Sequence, residues 1–186
     1  ENMEKITALK ERYRNQVNDI ISIVNIILSG GINSEQFTEC AISDANIDGN
    51  SVINILDVIS IINLVLGDDR VNISNDNYAV AQIYYEDSDL VVRIESSSDI
   101  AGIEITIDSN QYFETQLNDN SHIETLSNYF KNTLKVISYN PFNEVFDGHI
   151  VEYRVIGGSA INQDDLDIMI GSPSGNEFYV TTNYNG

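Results

Sequence analysis

The stretch DANIDGNSVINILDVISIINLVLG, residues 44–67, decides how this chain is read. Oxygen-bearing side chains alternate at Asp44, Asn46, Asp48 and Asn50, Gly49 allows a sharp turn among them, and Asp57 follows on the segment that comes next. From residue 55 to 66 apolar residues recur at helical spacing, and Gly67 stands where a left-handed residue closes a helix. Asn54 can cap that helix, and Asp57, three residues on, can reach back as the partner of a capping box.

The helix has a copy upstream. DIISIVNIIL at 19–28 aligns with DVISIINLVL at 57–66, an offset of 38 residues, with identities at Asp19/Asp57, Ile21/Ile59, Ser22/Ser60, Ile23/Ile61, Asn25/Asn63 and Leu28/Leu66. The remaining pairs exchange only Ile, Val and Leu, so two similar helices packed about a local pseudo-twofold are expected. The first copy differs at its start. Ile6, Leu9, Tyr13, Val17, Ile20 and Val24 fall three or four apart with no glycine or proline between them, which predicts one long helix from about residue 3 to 28, closing near Gly30. Between the copies, residues 34–40 suit a short helix capped by Asn33 or Ser34.

Alternating oxygen ligands around a glycine suit a hard cation. Calcium takes about six to eight oxygens in adaptable geometry, and a short loop with a donor at every second position can wrap it. DANIDG alone also suits a metal-free Asn/Asp-rich turn. Joined to the helix and the repeat, D-x-N-x-D-G followed by INILD and VISIINLVLG resembles the calcium loop and helix of a type I dockerin repeat, an EF-hand-like element. That resemblance implies Ca2+ as cofactor. In one register Asp44, Asn46 and Asp48 are direct ligands, Asn54 the water- or side-chain-mediated position and Asp57 the bidentate closing ligand, with two extra residues after Gly49. In the other, Asn46, Asp48 and Asn50 lead, Val52 offers its carbonyl, and Asn54 and Asp57 keep their roles, with Asn46 replacing the usual leading Asp and Ser51 the usual Gly. Dockerins usually carry two such loops. Here the positions 38 residues upstream of Asp44, Asn46, Asp48 and Asn50 are Ile6, Ala8, Lys10 and Arg12, which cannot ligate calcium, so one ion per chain is expected. Lys5, Lys10, Arg12 and Arg14 make either a solvated helix face or a positive cluster facing carboxylates such as Asp19.

Beyond residue 77 the pattern changes to short alternating runs rich in Val, Ile and Tyr, broken by Asn, Asp, Ser and Gly. Strands are expected at 78–85, 89–95, 100–108, 134–139, 149–156, 166–170 and 177–182, with a turn or edge piece at 127–131. Seven or eight strands without long helices between them predict an all-β antiparallel sandwich. The runs DLVVRIESSSDIAGIEITID, DGHIVEYRVIGG and INQDDLDIMIGSPSG resemble a cohesin-like sandwich, a pattern shared with immunoglobulin-like jelly rolls and carbohydrate-binding domains. The expected organisation is therefore α+β and multidomain: a helical dockerin-like module at 1–70, a linker at 71–77 and a sandwich at 78–186.

The chain has 186 residues, with 29 acidic against 9 basic side chains and a formal charge of −20. Such a field repels phosphate backbones and anionic lipid, which excludes nucleic acid and bare membrane as natural partners. No run reaches the length of a membrane-spanning helix. Glu1 opens the chain without an initiator methionine or a leader, as in a processed product or a fragment. Cys40, the only cysteine, allows no intrachain disulfide and is expected to be a small buried apolar residue. His122 and His149 form no His-x-x-x-His or Glu-x-x-His arrangement, and no nucleophile, phosphate-binding or dinucleotide motif occurs. A non-catalytic extracellular or cell-surface protein is expected. Its helical module would dock on cohesin-like or dockerin-like protein modules, including other copies of itself. Such docking runs either head to tail into filaments, as a self-assembling adhesion protein would, or within one chain. The competing class is a glycan-binding sandwich anchored by its helical part.

Overall fold

A computed structural model describes residues 2–66, 77–118, 122–142 and 144–185, with the side chains of 2–13 and 185 outside that description. The long amino-terminal helix runs unbroken as α1, Asn2–Leu28. It stops where Gly30 turns left-handed at φ 110°, a conformation that a side chain resists. Asn128 reaches over from the β half and donates its amide N–H to Leu28 O at 2.9 Å, satisfying one of the open carbonyls at that end.

Residues 34–40 do not form the expected helix. A single 3-10 turn at Gly31–Asn33 is followed by α2 at Glu39–Ala45, capped by the Thr38 hydroxyl, which accepts from Ala41 N–H. The Ser34 hydroxyl instead meets Ser29 Oγ at 2.7 Å and accepts from Gln36 N–H at 3.3 Å, beside the end of α1. Cys40 is exposed rather than buried, since Ala45 is the residue that α2 turns inward. The third helix, α3, spans Ile55–Leu66 with the expected cap. Leu56 N–H donates to Asn54 Oδ1 at 2.8 Å, and Asn54 N–H donates to Asp57 Oδ2 at 3.0 Å. The expected linker lies outside the described residues except for Asn77, whose carbonyl accepts from Tyr179 N–H inside the sandwich.

Among the described residues nine strands follow: β1 Tyr78–Glu86, β2 Asp89–Ser96, β3 Gly102–Asp108, β4 Thr115–Asn118, β5 Glu124–Phe130, β6 Thr133–Tyr139, β7 Ile150–Val155, β8 Leu166–Gly171 and β9 Tyr179–Asn185. They form a five-stranded sheet in the order β4-β7-β2-β1-β9 and a four-stranded sheet in the order β5-β6-β3-β8. Two details depart from expectation. The strand β4 was not anticipated, and β5 is a full strand rather than a turn; both alternate only between half-buried and exposed positions, so their apolar signal is weak. The sandwich is also not wholly antiparallel. Its last strand crosses from the four-stranded sheet and lies parallel to β1, from Tyr78 opposite Tyr179 to Tyr84 opposite Asn185.

Alternation sends Ala79, Ala81, Ile83, Leu90, Val92 and Ile94 of one sheet and Ile103, Ile105, Ile107, Leu134, Val136 and Ile170 of the other into a shared core. The two sheets thus pack face to face. The four-stranded sheet is buried on its second face as well. Ala101, Ile137 and Tyr139 belong to a separate core made with Ile20, Ile23, Val24 and Ile27 of α1 and Ile55, Val58, Ile59 and Ile62 of α3. The repeated helices thus pack on each other and on the outer face of one sheet, giving three layers.

Candidate functional site

Two features of the helical layer carry chemistry: the loop between α2 and α3, and the face on which α3 sits.

The loop is organised by Asp57. Its side chain is fully buried, with Oδ1 accepting from Ile47 N–H at 2.7 Å and Asp48 N–H at 3.3 Å, and Oδ2 accepting from Asn54 N–H. Three of the roughly four acceptor positions of a carboxylate are taken in this way. Burial pushes the Asp57 carboxyl above the usual aspartate range, and the nearby charge of Asp48 adds to the shift, while the three backbone N–H groups pull it back down. Asp48 accepts from the Asn50 backbone N–H at 2.9 Å and from Asn50 Nδ2 at 2.6 Å, and Asn50 Oδ1 accepts from Val52 N–H at 2.7 Å. Gly49, at φ 76°, makes the turn between them possible. Asn46 directs its amide N–H across the loop to Asn50 O at 3.4 Å, leaving its Oδ1 buried with no hydrogen-bond partner.

Of the six residues expected as ligands, Asn46, Asp48, Asn50, Asn54 and Asp57 are therefore joined in one hydrogen-bonded loop. Asp44 lies in the last turn of α2, exposed. Among the described residues no three acidic, histidine or cysteine side chains converge as a metal-ligating group. The side chains of Lys5, Lys10 and Arg12 lie outside the described residues.

The docking face depends on residues that the sequence pattern did not single out. Gly102 of β3 and Gly171 of β8 are register partners on the sheet's outer face. A Cβ at Gly102 would come within 2.7 Å of Ile55 Cγ1, and one at Gly171 would overlap Ile59 Cδ1 outright. Beside them Glu104, 5% exposed, accepts from the Ile55 backbone N–H at 3.0 Å through Oε2 and from Lys135 Nζ through Oε1. Asn63 donates its amide N–H to Pro173 O at 2.8 Å at the other end of α3. Tyr139, under the helices, has its phenol pushed up to about 12, first by burial and then by the Glu124 carboxylate. The available signal was β6, whose run LKVISY places apolar residues on both faces, as in a strand covered on both sides.

No protein-family model matches the chain, and no curated protein matches it. Among solved structures it is similar to a non-cellulosomal cohesin from the hyperthermophilic archaeon Archaeoglobus fulgidus, at 18% identity over 60% of this chain and 88% of that one, with a TM-score of 0.38. Among the described residues no helix is long and apolar enough to cross a membrane.

Proposed function

We propose that this chain is a non-catalytic, extracellular or cell-surface association module in which a calcium-supported, dockerin-like helical part is docked on a cohesin-like sandwich of the same chain. One observation carries this reading. The outer face of the β5-β6-β3-β8 sheet is shaped to α3, with two facing glycines under Ile55 and Ile59 and a buried carboxylate on the helix's first free N–H. Head-to-tail association through that face would need it open, whereas here it is covered by the chain's own helices. Docking within one chain is therefore favoured over a filament.

The loop suits calcium on the strength of the buried, unpartnered Asn46 Oδ1, in the same hydrogen-bonded loop as Asp48 and Asp57. We assign the ion to the register led by Asn46, Asp48 and Asn50, with the Val52 carbonyl, the Asn54 position and the remaining acceptor site of Asp57. The ion would neutralise Asp48 and Asp57 and stabilise the folded loop by mass action. Small-angle scattering and light scattering on the whole chain, with calcium and with a chelator, test the reading. A compact particle of one 20.8 kDa chain is expected in calcium. Calcium-dependent growth into larger assemblies would refute docking within the chain.

A second reading has its own support on the opposite side of the molecule. Tyr78 and Tyr179, 58% and 75% exposed, are register partners on β1 and β9 and offer aromatic area for stacking on a sugar ring. Binding to soluble polysaccharide that is lost in a Tyr78→Ala, Tyr179→Ala double variant would establish it, with no change in particle size.

A further inference from the structure

We infer that Glu104, on β3 of the sandwich, is a positioning residue for the calcium loop: it sets the loop's affinity for the ion without being a ligand. The inference rests on the calcium reading above.

The first N–H groups of a helix have no partner within it and must find one elsewhere. In α3 these partners are divided between two parts of the molecule. Leu56 N–H goes to Asn54 Oδ1 at 2.8 Å, and Asp57 N–H goes to Asn54 O at 3.1 Å, both within the loop. Ile55 N–H goes to Glu104 Oε2 at 3.0 Å, across to the sandwich. Glu104 is itself held from the far side by Lys135, so its carboxylate is paired and its position fixed. The turn that Glu104 grips is the turn that presents Asp57. Asp57 in turn fixes Ile47 and Asp48 through Oδ1, and so the end of the loop that leads to Asn46.

Three consecutive residues therefore connect a sandwich carboxylate to the proposed ligand set. If Ile55 lost its acceptor, the first turn of α3 would be free to fray, and the Asp57 oxygens would lose their fixed place relative to Asn46 and Asp48. The linkage is reciprocal: whatever affinity docking lends the loop, the ion returns to docking. Glu104 belongs to a β-strand far along the chain from the loop, so the sandwich is part of the calcium site's support.

Calcium titration of the whole chain, unaltered and as Glu104→Ala and Glu104→Gln, tests this together with amide exchange at Ile55. Glu104→Ala should weaken calcium binding about tenfold, the scale of a typical coupling between sites. Glu104→Gln keeps an oxygen that accepts from Ile55 N–H and should bind close to the unaltered chain. Calcium should slow exchange of the Ile55 amide in the unaltered chain, and this protection should be lost in Glu104→Ala. A merely structural role would lower the melting temperature of Glu104→Ala and leave both calcium readouts unmoved, which would overturn the inference. Equal weakening by Gln and Ala would also overturn it, because the effect would then be one of charge alone. If Glu104→Ala does not fold, an Ile55 exchange rate in the unaltered chain that ignores calcium overturns it still. An unaltered chain that binds no calcium would remove the calcium reading itself, whereas calcium binding unaffected in Glu104→Ala would remove only the role of Glu104.

Discussion

Gly102 and Gly171 lie opposite one another across β3 and β8, and the Cδ1 methyl of Ile59 occupies the space above both. Neither glycine has a positive φ, so both positions are constrained by space rather than by backbone conformation. Gly171→Val should force Ile59 and Leu56 off the sheet at a cost of about 1–3 kcal/mol, the usual range for overpacking. Thermal unfolding should show the loss, and amide exchange should place it in α3 while β1 and β2 keep their protection. Uniform loss of protection throughout the sandwich would contradict a face whose main task is to seat the helix.

The two calcium registers differ at their leading residue. Asn46→Ala removes the unpartnered buried oxygen and should weaken calcium binding by about tenfold or more, since affinity follows the number and rigidity of oxygen ligands. Asp44→Ala, at an exposed position in α2, should leave it nearly unchanged. Weakening by Asp44→Ala as well would assign the site to the register led by Asp44, in which Asn46 is also a ligand.

Proton release offers an independent view of the loop. Burial raises the Asp57 carboxyl above its ordinary value of 3.8 in the folded chain. The folded chain thus holds this proton more tightly than the unfolded chain does. In the window just above 3.8, this group's contribution to stability falls as pH rises. Calcium prefers the carboxylate and reverses that preference, so binding in mildly acidic buffer should release protons and weaken as pH falls. Calorimetry in buffers of different ionisation enthalpy should detect the release, and Asp57→Asn should abolish it.

Alkaline pH should act first on the helical layer. The Tyr139 phenol, raised from 10.0 to about 12, stays neutral in the fold at pH values where the unfolded chain ionises. Its contribution is complete below pH 10 and is lost as pH rises from there through about 12. Because Tyr139 lies in the core between sheet and helices, helical protection should fall in this window before that of the inter-sheet core. Tyr139→Phe should flatten the dependence, as followed by helical circular dichroism against pH.

Long or strongly patterned elements were legible from the residues alone. The unbroken apolar spacing of α1, the Asn54 and Asp57 cap of α3, and the alternation in β1, β2, β3 and β6 all declare themselves locally. The strands β4 and β5 do not: TQLN and ETLSNYF carry few apolar side chains and pair at sheet edges, so partners rather than propensity fix them. The start of α2 was obscured because Asn33 and Ser34 also offer caps, whereas the helix begins after Thr38 and Ser34 is taken up by Ser29 and Gln36. In the candidate site, the alternating Asp and Asn spacing of the loop was local and readable, while the seat for α3 was not. Gly102 and Glu104 fall inside the expected strand at 100–108 and Gly171 just past the one at 166–170, with nothing local to mark them. Each acquires its role only when a helix from elsewhere in the chain lies over it.

The covalent connection between the helical layer and the sheet it covers has a quantitative consequence. Two surfaces held on one chain meet at an effective concentration set by the tether, on the order of millimolar for short flexible connections. A free helical module from another molecule must match that value before it displaces the resident one. At chain concentrations well below that value, the covered face of the β5-β6-β3-β8 sheet would therefore be closed to any competitor of equal intrinsic affinity, and opening it would require a partner that binds more tightly or a change that first loosens α3.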